Sequence, residues 1–350
     1  MKKAGVVLLL ILLLIQSAAY GETMTLSFIG DCSIGEAIQY RGYKSSYTTV
    51  LDEKGYDWPF SLVYPILTAD DMTFANLEVV FTNRTKHQDK RYPLVALPEY
   101  AQTLLYSGID VVNTANNHAY DFLVSGYEES LETLDALGMP HFGSFNLGTR
   151  EAQDLLLTQT VNGVMIGCVG FSYPQETDAD RIANRIQTLR EQGCDLVIVS
   201  MHWGREESTT PESYQVYLAK VAIKAGADVV WGHHAHILQP VQFYDGKPVF
   251  YSTGNFTFGT MSSVDPDTGI FQLEYDIDGE TGITLTSFSV VPCRTQGAGD
   301  YRPYELTDPE ERSTMLRKLI SKKTNKGFED LPESFADTGR VEFSDGAMIE

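Results

Sequence analysis

GADVVWGHHAHILQP, residues 226–240, sets a buried strand directly against a cluster of imidazoles. The run DVVWG from Asp228 holds consecutive β-branched and apolar residues, the pattern of a strand covered on both faces. His233, His234 and His236 follow it at once. His234 and His236 lie two apart, so in an extended segment they would point to the same side. Upstream, Tyr214, Leu218 and Val221 recur at i, i+4 and i+7, the stripe of an amphipathic helix. Gly226 stands where such a helix is capped.

Outward from this stretch the same unit recurs. Strands are predicted for MTLSFIG from Met24, DMTFANL from Asp71, IDVVNTA from Ile109, VMIGCVGF from Val164 and DLVIVSM from Asp195. Helical stripes fall at Tyr127, Leu131 and Leu134, and at Ile182, Ile186 and Leu189, the latter capped by Gly193. Strands alternating with helices predict an α/β fold with a largely parallel sheet and crossover helices. From Lys247 the pattern changes to PVFYSTG, IFQLEYDI and ITLTSFSVV, separated by DG or TG turn signals, which predicts antiparallel hairpins. No repeat, low-complexity run or linker interrupts residues 24–293. Beyond Thr307 the chain is charged, with one amphipathic helix near Glu310–Lys322 and a polar tail expected to attach loosely.

Residues able to hold a metal recur where the predicted strands end. Asp31 ends the first, Glu78 the second, and Asn117 with His118 the third; His202 follows the fifth, and His233, His234 and His236 the sixth. The carboxyl ends of strands in an open α/β sheet share one rim, where ligands bind. Five of the seven histidines fall at these ends, while His87 and His141 do not. Imidazole nitrogens with carboxylate and amide oxygens suit one or two divalent transition metals: Mn, Fe or Zn. Cys32, Cys168, Cys194 and Cys293 lack metal-ligand spacing, and are expected either as one or two disulfides or as buried thiols.

The segments GDCSIG (30–35), ANLE (75–78), NTANNHAYD (113–121), HWGRE (202–206), GADVVWGHHAHILQP (226–240) and YSTGNF (251–256) resemble, in order, the motifs of the CapA-type poly-γ-glutamate capsule-synthesis family. That family looks like a branch of the calcineurin-like metallophosphoesterases. The resemblance implies an αββα sandwich with a mixed sheet and ligands at the strands' C-terminal ends. It further implies that Asp31 binds a first metal and Glu78 bridges a pair. Asn117, His202 and His234 would bind the second metal and His236 the first. His118 would be the acid beside the site and Asp121 its orienting partner. The superfamily's D-x-H motif is here Asp31-Cys32-Ser33, so one histidine ligand is missing, and the usual bridging aspartate is Glu78. His233 is expected to support a ligand or to lie at the surface. Asn255 either bonds a ligand histidine or forms a turn. Glu206 and Trp203 are expected in the pocket wall, and Arg91 either contacts an anion or is solvated.

The 350 residues carry a formal charge of −21, which argues against a nucleic-acid partner. Lys2 and Lys3, an apolar run from Ala4 to Ile15 and small residues up to Gly21 predict export, through a cleaved signal peptide or an uncleaved anchor. The expected organisation is a signal or anchor at 1–21, a CapA-type domain at 24–300, and a helix with a polar tail at 301–350. Two functions remain open. One is an extracytoplasmic metal-dependent hydrolase of a phosphoester or γ-glutamyl amide. The other is a non-catalytic accessory that binds or exports an anionic capsular polymer. Membrane-bound polymer synthase components are the expected protein partners.

Overall fold

The computed structural model describes residues 22–143, 155–259, 265–278, 282–344 and 346–349; the export segment at 1–21 lies outside them. In chain order the main elements begin with β1 (Glu22–Cys32), β2 (Met72–Leu77), β3 (Val111–Asn113) and α1 (Leu123–Leu137). There follow β4 (Val164–Ser172), α2 (Ala179–Glu191), β5 (Leu196–His202), α3 (Ser213–Lys224) and β6 (Val229–His233). Next come β7 (Val241–Tyr244), β8 (Lys247–Phe250), β9 (Asn255–Thr257), β10 (Asp267–Asp278) and β11 (Gly282–Thr295). The chain closes with α4 (Pro309–Leu316), β12 (Phe328–Asp330), β13 (Arg340–Ser344) and β14 (Ala347–Ile349).

The strands divide between two mixed sheets where the strand pattern suggested one. β1, β2 and β3 run parallel in the first, with β9 parallel to β1 on its other side. β10 and β11 extend that sheet as an antiparallel hairpin. β4, β5, β6 and β8 run parallel in the second, and β7 returns antiparallel to β8 through Asp245-Gly246. The parallel strands of both sheets are covered on both faces, so their composition does not say which sheet each joins.

Alternation along each strand builds the layers. Leu26, Phe28, Met72, Phe74, Leu196, Ile198, Val229 and Trp231 share one buried core between the sheets. Ala75, Leu77 and Val112 face outward onto Leu134 of α1, and Val197, Val199 and Val230 face outward onto Ile186 of α2 and Leu218 of α3. The result is the expected αββα sandwich. All four cysteines are free and buried.

The C-terminal region is not a loose tail. β12 pairs with β7 in the second sheet, while β13 pairs with β11 in the first. Met315, Leu316, Leu319, Phe335 and Val341 enter the central core. These apolar residues are spaced among charges, which masked them in the sequence.

Candidate metal centre

The inward-facing series of each strand is apolar at its start and polar at its end. Met72 and Phe74 lead to Asn76, Leu196 and Ile198 lead to Ser200 and His202, and Val229 and Trp231 lead to His233. The two sheets therefore close over a layer of buried polar side chains. Two glycines permit the crossing of backbones here. A Cβ on Gly30 would lie 1.9 Å from the Gly254 carbonyl oxygen, which instead accepts a bond from the Asp31 amide at 2.9 Å. A Cβ on Gly232 would lie 2.1 Å from the Tyr251 oxygen. Asn116 turns the chain after β3: its side chain accepts from the His118 amide at 3.1 Å and donates to the Leu77 carbonyl at 2.8 Å. His234 and His236 adopt left-handed backbone, φ +86° and +59°, rather than the extended form expected. That conformation is strained for side chains with a Cβ, and such strain gathers at functional sites.

Glu78 lies at the middle of the cluster. Its Oε1 is 3.7 Å from His118 Nε2, 3.8 Å from His202 Nε2 and 4.0 Å from His236 Nε2. Asp31 sits beside it, with Oδ1 3.2 Å from His233 Nδ1 and Oδ2 3.1 Å from His236 Nδ1. Asn76 donates to Asp31 Oδ1 at 2.7 Å. Asn117 Oδ1 is 2.9 Å from His202 Nε2. The Tyr173 hydroxyl is 2.9 Å from His234 Nε2, and the rings of His202 and His234 are 4.8 Å apart. His118 Nδ1 is 2.6 Å from Asp121 Oδ2. Lys90 binds Asp121 Oδ1 at 2.9 Å and donates to the Asn117 carbonyl at 2.9 Å. All six expected ligands and both expected catalytic residues thus converge on one place.

Burial works to raise the pKa of Asp31, but the imidazoles of His233 and His236 outweigh it and hold the carboxyl well below its usual range. Burial, then the charge of Asp31, pushes Glu78 well above. Burial lowers His118 despite Asp121, and lowers His202 and His233. Burial and the neighbouring His236 press His234 down to about 3. His236 is the exception: burial lowers it, yet Glu78 and Asp31 hold its proton, raising it to about 10. Without a metal, the His236 imidazolium is the cation beside the Asp31 carboxylate.

The donor set fits a metal. Among the described residues, Glu78 Oε1, His234 Nδ1 and His233 Nε2 are buried without a hydrogen-bond partner. Orphaned buried groups of this kind are rare unless an ion or water completes them. Ligand atoms of Asp31, Glu78 and His236 lie within 4.8 Å of one another, as do those of Glu206, His234 and His236. Glu206 is therefore placed among possible ligands. Trp203 is not in the pocket wall: it is fully buried and donates to the Tyr251 carbonyl at 3.0 Å. Asn255 Oδ1 meets His236 Nδ1 at 2.9 Å, the ligand-supporting alternative. His233 is fully buried beside Asp31, so the surface alternative falls away. Arg91 lines the cleft above His118, with its guanidinium 4.9 Å from the Tyr92 ring.

Three residues escaped the sequence reading: Asn76, Lys90 and Tyr173. Asn76 was visible as an inward position on a strand of even parity. Tyr173 follows a strand end, as the ligands do. Lys90 lies in an irregular loop and offered no periodic signal.

Residues 25–260 match the family described as bacterial capsule synthesis protein PGA_cap. The chain belongs to that family. It is 30% identical over 289 residues to the PGA biosynthesis protein CapA of Bacillus subtilis, covering 77% of this chain and 72% of that one. It is 28% identical over 333 residues to the capsule biosynthesis protein CapA of Bacillus anthracis, covering 87% and 75%. A probable polyglutamine synthesis accessory protein of Mycobacterium tuberculosis is 27% identical over 57% of this chain and 59% of its own. Among solved structures, the sulfate thiohydrolase SoxB of Thermus thermophilus aligns with TM-score 0.46 and 14% identity over 78% of this chain and 57% of that one. The NAD nucleotidase of Haemophilus influenzae aligns with TM-score 0.43 and 13% identity, over 88% and 57%.

Proposed function

We propose that this capsule-synthesis family member is an extracytoplasmic metal-dependent hydrolase, acting on a phosphoester or a γ-glutamyl amide of an anionic polymer. The supporting observation is Glu78 Oε1, a fully buried, unpaired acceptor with three imidazole nitrogens within 4.0 Å. A carboxylate so placed costs several kcal/mol unless a cation joins it, roughly what buried unpaired charge costs elsewhere. Asp31, Glu78 and His236 would hold one divalent Mn, Fe or Zn ion, and Asn117, His202 and His234 a second with Glu78 shared. When bound, such ions supply Lewis acidity toward a phosphoryl or carbonyl oxygen.

The chain's own residues supply the proton chemistry. Asp121 fixes the His118 ring through Nδ1, leaving Nε2 directed toward Glu78 and the cleft. Once the ring is protonated, Nε2–H can pass its proton to a departing oxygen or nitrogen, leaving a neutral imidazole whose Nδ1–H stays on Asp121. Asp121 has both oxygens engaged, by His118 and the Leu94 amide on one and by Lys90 on the other. Asp121 and Lys90 are positioning residues.

The accessory reading has one observation in its favour. Ser33, where the superfamily has a ligand histidine, accepts a bond from the Gly259 amide at 2.6 Å and donates to the Gly35 carbonyl at 3.1 Å, so it supports the turn rather than a metal. A weakened first metal would leave a rim that binds polymer and passes it to membrane-bound synthase components. Under either reading the N-terminal segment exports the chain, and its partners exclude nucleic acid.

Elemental analysis after metal loading, run beside a screen of phosphomonoesters, phosphodiesters and γ-glutamyl peptides, tests the proposal. One or two transition metals per chain are expected, reduced in His202→Ala and His234→Ala. Equal, negligible metal in all three proteins would sink the metal centre. Full metal with no turnover on any substrate would favour the accessory.

A further inference from the structure

A second cavity, of about 720 Å³, lies apart from the metal cleft. It lies on the other side of the backbone that carries the ligand histidines. His236 lines the cleft, while Ile237 and Leu238, the next two residues, line this groove. Consecutive Cα atoms are about 3.8 Å apart, so one strand of backbone is the wall between the two. The facing side is built by the C-terminal region beyond residue 260, through Arg317, Lys318, Ile320, Lys322 and Lys323.

Charge sets the groove apart. The chain has 47 acidic residues against 26 basic, yet Arg317–Lys326, RKLISKKTNK, contains five basic residues and no acid. Asp265 is an acid lining the groove, and Lys318 neutralises it at 2.6 Å while also meeting Asp267 at 2.8 Å. Arg317 reaches Glu333 at 3.4 Å on the exposed surface. Lys322 and Lys323 are exposed and form no ion pair among the described residues. The floor between them and the ligand loop is apolar: Ile237 and Leu238 are buried, with Val216 and Pro240 beside them. Spaced ammonium groups over an aliphatic floor complement a ligand that alternates carboxylates with methylene stems. A phosphate chain would gain the charge contacts and waste the floor.

We propose that this groove is a binding site for an extended polycarboxylate of the glutamate type, running beside the catalytic cleft. The inference rests on the reading that the cleft handles an anionic polymer, and it adds where that polymer lies outside the reacting centre. Fluorescence anisotropy of a labelled γ-linked oligoglutamate, titrated with chelator-treated full-length protein, tests it. Binding is expected without metal, and should weaken as salt screens the lysines. Lys322→Glu combined with Lys323→Glu should weaken it about tenfold or more, because two attractive contacts become repulsive. The melting temperature, metal content and small-phosphoester turnover of the double variant should match wild type, since both lysines are exposed and neither touches the cleft. Undiminished oligoglutamate binding in the double variant would overturn the groove, as would no binding to the wild type. Preference for polyphosphate, or for anionic phospholipid vesicles, over oligoglutamate would overturn it too. Failure of the hydrolase reading appears separately, as missing metal or missing turnover with the groove intact.

Discussion

The same strands build two unlike regions, the middle of the sandwich and its rim. In the middle, Phe28 stacks on Phe74 at 5.0 Å and meets the edge of Trp231 at 5.6 Å, all fully buried. Two residues further along, on the same inward face, Asn76 and His233 replace the aromatics. The middle satisfies itself by burying apolar surface. The rim leaves carboxylate and imidazole atoms unpaired although those atoms are buried. Stability in one region sustains a costly arrangement in the other, which is how functional sites persist in folded proteins.

Paired substitutions measure that contrast. Phe74→Ala should cost about 3–5 kcal/mol of unfolding free energy, through lost burial and a cavity at the centre of the core. Glu78→Gln should act in the opposite direction in the metal-free protein. Burial holds the folded-state pKa of Glu78 above its unfolded value, so its contribution is greatest at low pH and is lost as pH rises. Without metal, Glu78→Gln should therefore be at least as stable as wild type near neutral pH, and the same change should abolish tight metal binding. Urea unfolding with and without chelator reads both. A Glu78→Gln protein that is less stable without metal would mean that the rim is built for stability as the middle is.

His118 sharpens the comparison on the chemical side. His118→Ala should keep metal and fold while losing about 10²–10⁴-fold in turnover of the best substrate. Lys90→Met should lose less, since Asp121 still holds the ring, and the loss should fall on kcat rather than on metal content. Turnover beside metal content on one preparation is the measurement. Unchanged turnover at unchanged metal removes His118 from the mechanism and leaves the rim a binding surface.

How far the sequence disclosed these regions follows from their physics. The six parallel strands were legible as short unbroken apolar runs and the three long helices by their apolar stripes. So was the cluster of candidate ligands at the strand ends, because a polar residue after an apolar run breaks a local pattern. The division into two sheets was not legible, since strands buried on both faces look alike whichever sheet they join. Nor was the structured C-terminal region, whose core residues Leu316, Phe335 and Val341 stand singly among charges. The left-handed backbone at His234 and His236 was hidden for a different reason: only tertiary packing imposes it. Lys90 acts across 31 positions to reach Asp121, and no local signal spans that separation.

The smallest expected effect lies at the opposite end of the strands from the rim, at Asp70. It precedes β2, and its Oδ2 accepts from the Thr73 hydroxyl at 2.7 Å. Burial lifts its pKa to about 6, from an ordinary 3.8, although Ser27 and Thr73 work against the rise. A folded-state value above the unfolded one means that the folded chain binds more protons between those two pH values. The stability this group contributes is therefore full below about pH 3.8 and lost as pH rises through about 6. Asp70→Asn keeps an oxygen for Thr73 and removes the titration. The variant should match wild type at pH 4 and melt slightly higher at pH 7, so the difference between the two curves opens over that interval. Because Asp70 is remote from Glu78, its effect should be the same with metal and without, unlike every substitution at the rim. A variant that melts below wild type at pH 7 would show that the carboxylate is stabilising there. In that case a half-buried carboxylate with hydrogen-bond donors would be favourable to the fold, and destabilising charge would be confined to the rim.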